Sequence, residues 1–167
     1  MNYLKILLGV IMVLSASRFI PHPPNFTSLM ALTFYIPTIL GIKFLPALLI
    51  AFILTDIIIG LHSTIIFTWG SVLIVGMLSI YFKKNMFFRF LGVVGGTLVF
   101  FVFTNFGVWS LGSYGYSLEG LLSCYILALP FFGNTLISTL LFSSIIEFVY
   151  KTYTDKFPNN IYVKQLK

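Results

Sequence analysis

Residues 45 to 85 read LPALLIAFILTDIIIGLHSTIIFTWGSVLIVGMLSIYFKKN, two aliphatic runs split by the short turn GLHST and closed by a lysine pair. A helix rises about 1.5 Å per residue and a hydrocarbon core is about 30 Å thick, so runs at about 46–60 and 64–82 read as membrane-crossing helices. Pro46 suits a first helical turn, Gly60 a helix C-cap, and Ser63 or Thr64 the N-cap of the next helix. One residue breaks the pattern. Asp56 is one of four acids in the chain, and an ionised acid at mid-helix in lipid costs about 2.5 to 3.5 kcal/mol on insertion scales, so it demands a partner. His62, one of two histidines, follows in the turn.

Working outward, the whole chain has the same character. With 167 residues, 59% hydrophobic and 8% charged side chains and a mean hydropathy of +1.03, the composition excludes a soluble globular domain and leaves room for one transmembrane domain, residues 1–167. The net charge of +6 comes from Lys and Arg set between and after apolar runs, which fits orientation in a lipid bilayer and not a nucleic-acid partner. A single cysteine, Cys124, permits no internal disulfide and reads as a small buried hydrophobe. Among enzyme signatures, GxSxG, HExxH, CxxC, the phosphate-binding loop and GxGxxG are all missing, so the reading is not an enzyme and assigns no catalytic residue and no cofactor.

The remaining spans follow from breakers and charges. Residues 3–20 form a first apolar stretch, read as a retained span and not a cleaved leader, and it ends at the proline turn PHPPN, 21–25. A second covers 26–42, with Pro37 as a kink, and a fifth covers 87–106, where Gly92 and Gly96 have the GxxxG spacing that allows close helix packing, read as packing within the monomer. The tract from 118 to 150 is broken by Pro130 and Gly133. Six spans place Lys5, Lys43, Lys83, Lys84, Arg89, Lys151, Lys156, Lys164 and Lys167 on the cytoplasmic side and leave Arg18 alone at the outer face, whereas seven would export the last four lysines. The expected fold is therefore all-α: a polytopic six-helix bundle with both termini cytoplasmic, a reentrant or outer-leaflet segment at 118–132, and a sixth span at 133–150.

This topology, chosen on Lys and Arg, gathers the scarce polar side chains at one face. Arg18, His22 and Asn25 fall at the first outer turn, Asp56 and His62 at the second, Asn105 and Trp109 at the third. Arg18 is the basic residue available to Asp56, so the two are expected to pair, either as a pin between helices 1 and 3 or as part of a ligand pocket. The long-range spacing of His22, His62 and Asp56 does not specify a metal site, and none is assigned. Trp69 reads as interfacial belt or core.

The strings RFIPHPPNFTSLMALTFY (18–35), TDIIIGLHSTIIFTWGS (55–71), TNFGVW (104–109) and EGLLSCYILALPFFGNTL (119–136) resemble an uncharacterised family of small bacterial membrane proteins. That family is in turn similar to the substrate-binding S components of energy-coupling-factor (ECF) vitamin transporters. The resemblance implies an S-component-like six-helix fold with a pocket closed by the loops after helices 1, 3 and 5. It also implies partners: a small-molecule ligand, and a transmembrane coupling protein driven by two ATPase subunits. Two features depart from the S-component pattern. Helix 1 offers only Gly9, Ser15, Ala16 and Ser17 where many S components carry an alanine-based docking repeat, and the chain starts Met1-Asn2 where nickel and cobalt members carry an outer Met-His.

The expected function is substrate binding and uptake of a small vitamin-like or polar solute at the cytoplasmic membrane. Arg18, His22, Asn25, Asp56, His62, Asn105 and Trp109 would line the outer pocket. The alternative is a non-transporting structural or accessory subunit of a membrane complex, in which the same polar groups pin helices together.

Overall fold

In the computed structural model, which describes residues 3–157, the chain folds into six α-helices, and no strand occurs among the described residues. They are α1 (Tyr3–Phe19), α2 (Leu29–Tyr35), α3 (Leu45–Ile59), α4 (Ile65–Ser79), α5 (Met86–Ser110) and α6 (Leu118–Lys156). Met1-Asn2, Lys164 and Lys167 lie outside the described residues. Among the described residues four stretches, against the six spans expected, are long and apolar enough to cross a membrane: Ile42–Ile59, Ile65–Phe82, Met86–Ser110 and Leu118–Lys156, while the apolar stretch Leu29–Leu40, within the expected second span, is shorter. The protein is accordingly a membrane protein. Many of its large apolar side chains face outward, Ile66, Ile58 and Phe148 among them, as a lipid-facing surface requires.

Breakers act where the sequence puts them, with local differences. Pro37 has no N–H to give, and α2 gives way to a π-helical turn over Ile36–Leu40 in place of a simple kink. The Thr38 hydroxyl there lies within hydrogen-bond distance of the carbonyls of Phe34 (2.6 Å) and Ser79 (3.2 Å), which fastens the irregular turn to the end of α4. Pro46 stands in the first turn of α3 and Gly60, at φ +124°, caps its end with its N–H on the Asp56 carbonyl. Thr64 occupies the N-cap position of α4 but makes no capping bond, because its hydroxyl faces His62 Nδ1 at 2.9 Å instead.

The largest difference concerns α6. Residues 118–132 are not a separate inserted segment: they are the first third of one helix that runs 39 residues, from a Ser117 side-chain cap to Lys156, with Pro130 inside it. A proline removes one bond to the preceding turn, and in a bundle the neighbours can hold such a helix together. Here Tyr125 Oη donates to the Val102 carbonyl of α5, and Phe101 packs against both Tyr125 and Phe132 on either side of the proline. At 1.5 Å per residue this helix is about 58 Å long, so it extends beyond a 30 Å hydrocarbon core.

Helices α1 and α3 run side by side in the same sense. Tyr3 stacks on Phe44 at one end, and Arg18 meets Asp56 at the other. One apolar core, with Leu14, Leu48, Ala51, Phe52 and Val72, sits between α1, α3 and α4, and a second, with Phe34, Tyr35 and Val93, between α2 and α5. Gly92 and Gly96 serve packing inside the monomer: a Cβ on Gly92 would meet Phe34 and Phe82, and one on Gly96 would meet Val75. The bundle thus has an upper end, carrying the α1–α2, α3–α4 and α5–α6 turns, and a lower end where α2 and α4 finish and α5 begins.

Candidate functional site

The upper end is organised by a buried ion pair. Arg18, in the last turn of α1, places Nη2 at 2.6 Å from Asp56 Oδ1, and Asp56 is 1% exposed. Asp56 Oδ2 accepts the indole N–H of Trp69 at 2.7 Å, and Arg18 Nη1 donates to Thr55 Oγ1 at 2.5 Å. Thr55 in turn donates to the Phe52 carbonyl, and the guanidinium lies 4.9 Å over the Phe52 ring. Both carboxylate oxygens are therefore engaged, which removes the penalty an acid on α3 would otherwise carry. Two of the five guanidinium N–H donors are used in these contacts, so the Arg18 edge keeps donors for an anionic group.

Beside this pair a cleft of two lobes opens, each about 300 Å³. The first lobe includes Arg18, His22, Asn25, Asp56 and His62 in its lining. The second includes Asn25, His62, Thr97, Thr104, Asn105 and Phe101. Asn25, His62, Thr68, Phe100 and Thr135 border both lobes, so they form one continuous cleft. Its walls come from the α1–α2 and α3–α4 turns and from α4, α5 and α6, with hydroxyls and amides set among phenylalanine rings. Such a surface holds a small molecule by apolar contact and orients it by hydrogen bonds.

Six of the seven residues singled out from the sequence meet here. Asn25 takes a left-handed backbone, φ +64°, in the proline turn, a conformation asparagine tolerates better than most residues. His62 is exposed on the rim. Asn105 donates Nδ2 to the Phe101 carbonyl of its own helix, which leaves Oδ1 as an acceptor for the lobe. His22 has its ring nitrogens near the carbonyls of Pro23 (2.7 Å) and Arg18 (3.3 Å). Trp109 is the exception. It borders neither lobe and packs among Phe106 and Tyr116, with its indole N–H buried and without a hydrogen-bond partner among the described residues. No three of His, Cys, Asp and Glu among the described residues converge as metal ligands.

Trp69, read from sequence as belt or core, proves to be the second partner of Asp56, thirteen residues away. The cleft threonines Thr68, Thr97 and Thr135 carry no sequence signal that separates them from the chain's other threonines. Asn134 ties α6 to the first turn through the Pro24 carbonyl at 3.0 Å. A second buried cluster was invisible as a cluster. At the lower end Arg89 donates Nε to Glu147 Oε1 at 2.5 Å and Nη2 to Oε2 at 2.7 Å, and Tyr35 Oη donates to Oε1 at 2.8 Å. These residues come from α5, α6 and α2 and lie 58 and 112 positions apart in the chain, beyond any local pattern.

No curated protein and no solved structure matches the chain. Its residues 1–160 match the model of one family, described as a family of unknown function, DUF6580. The chain belongs to that family.

Proposed function

We propose that the protein binds a small polar or vitamin-like solute in the upper cleft and serves its uptake, in the manner of the S components of ECF transporters. The observation that supports this reading is the cleft itself: an open, two-lobed cavity in which Asn25 and His62 of two turns and Asn105 of α5 converge beside a pinned Arg18. Arg18 offers its remaining N–H donors to an anionic group of the solute, Asp56 holds the guanidinium in place, and the rim amides and imidazole supply neutral hydrogen bonds. The upper end faces outward in this reading and both termini face the cytoplasm of the inner membrane, following the lysine distribution. Release into the cell then requires a partner, a transmembrane coupling protein with two ATPase subunits.

Native mass spectrometry of the gently purified protein tests this reading by revealing a co-purifying small molecule. Thermal unfolding with that molecule at about 100 times its Kd should show about 2.7 kcal/mol of added stability. His62→Ala and Asn105→Ala should remove that gain while leaving the ligand-free midpoint nearly unchanged, since neither side chain bridges two helices in the described contacts. The competing reading, an accessory subunit, draws on one observation: Asp56 is saturated by protein donors, as a helix pin would be. It is favoured if no small molecule co-purifies or shifts the midpoint.

A further inference from the structure

The floor of the cleft does not end in apolar core. Thr135 borders both lobes, and below it on α6 the buried face continues with Ser138, Thr139, Ser143 and Glu147, each no more than 4% exposed. Thr135, Thr139, Ser143 and Glu147 follow one another at four-residue steps, so the row winds slowly around the helix, about 40° per step, and drops about 18 Å from the cleft to the lower ion pair. Within α6 the hydroxyls of Thr135, Ser144 and Thr152 bond back to the carbonyl four residues before them. Those of Thr139 and Ser143, both 0% exposed, find no partner among the described residues. A buried hydroxyl without a partner is destabilising, and two in succession between a polar cleft and a carboxylate mark a place where water completes the bonding.

We infer that this face of α6 is a hydrated path along which water reaches Thr139 and Ser143 from the cleft, closed at the lower end by the Arg89–Glu147–Tyr35 cluster. The closure joins α5, α6 and α2, the three helices whose side chains meet around Glu147, whereas the upper pair joins α1, α3 and α4. Opening the lower cluster therefore parts helices that the upper pair does not hold. The inference rests on the cleft and its buried polar floor and adds to the uptake reading a hydrated extension of that cleft inside the chain.

The test is thiol accessibility in lipid nanodiscs, in a Cys124→Ala background. A small cationic methanethiosulfonate is applied to Thr139→Cys, Ser143→Cys and, as a dry-core control, Val72→Cys, which is 0% exposed. Modification is followed by intact-protein mass. Thr139→Cys and Ser143→Cys should react at least about tenfold faster than Val72→Cys, because only a hydrated thiol ionises, and Glu147→Gln should speed them further. If both stay as slow as Val72→Cys, the path does not exist, whatever ligand the cleft is shown to bind. If Glu147→Gln does not fold, the comparison with the lower cluster intact decides alone. A failure to find any cleft ligand, with the two cysteines reactive, would instead count against the uptake reading and leave the path standing.

Discussion

At the scale of single residues, the fold depends on two acids placed where lipid would penalise them. Each is stabilised by an arginine and by an aromatic donor, Trp69 for Asp56 and Tyr35 for Glu147. Removing one partner of a buried pair leaves the other uncompensated. Asp56→Ala and Glu147→Ala should each destabilise the protein by about 3–5 kcal/mol, read as a loss of midpoint in detergent thermal unfolding. Trp69→Phe keeps the ring and removes only the N–H, so a smaller loss of about 1–3 kcal/mol is expected. The Arg18–Asp56 pair was legible in advance because Arg18 is the one basic side chain that charge bias leaves on the side of Asp56. Trp69 was not, since an indole near a membrane interface looks the same whether or not its N–H has an acceptor.

Between elements, close approach is decided by glycine, and the structure places Gly92 and Gly96, the pair with GxxxG spacing, against neighbouring helices while Gly95 between them stands clear. An added methyl on Gly92 would meet Phe34 and Phe82 at 2.6 to 2.7 Å and one on Gly96 would meet Val75 at 2.7 Å, whereas Gly95 has nothing within 4 Å. Gly92→Ala and Gly96→Ala should therefore cost about 1–3 kcal/mol, and Gly95→Ala should be neutral or slightly stabilising through helix propensity, all three measured by the same unfolding assay. Helices α1, α3, α4 and α5 lie within four residues of the stretches read from the sequence, because a run of apolar residues closed by Pro, Gly or Lys is a local signal. Helix α2, by contrast, is α-helical only over Leu29–Tyr35 of the expected 26–42, since Pro37 brings a π-helical turn over Ile36–Leu40. Helix α6 is longer than expected, since whether Pro130 ends a helix or sits inside one depends on the neighbours that hold it, Val102 and Phe101 of α5.

For the whole molecule, the two ion pairs stand at opposite ends and tie different helices, α1, α3 and α4 above, α2, α5 and α6 below. Cysteines placed at residues 22, 62 and 105 should all be labelled from the same side of the bilayer, and one labelled from the opposite side would dismantle the cleft. The amino-acid sequence by itself determined the membrane class, the number of helices and the convergence of His22, Asn25, His62 and Asn105 at one end, because hydropathy, breakers and charge bias act locally and along a single axis. Only the tertiary structure decided that Trp109 leaves the cleft, that Trp69 completes the Asp56 site, and that Arg89, Glu147 and Tyr35 close the other end. Those outcomes depend on how the helices rotate about their axes to bury side chains against one another, and that rotation is set by packing across the bundle.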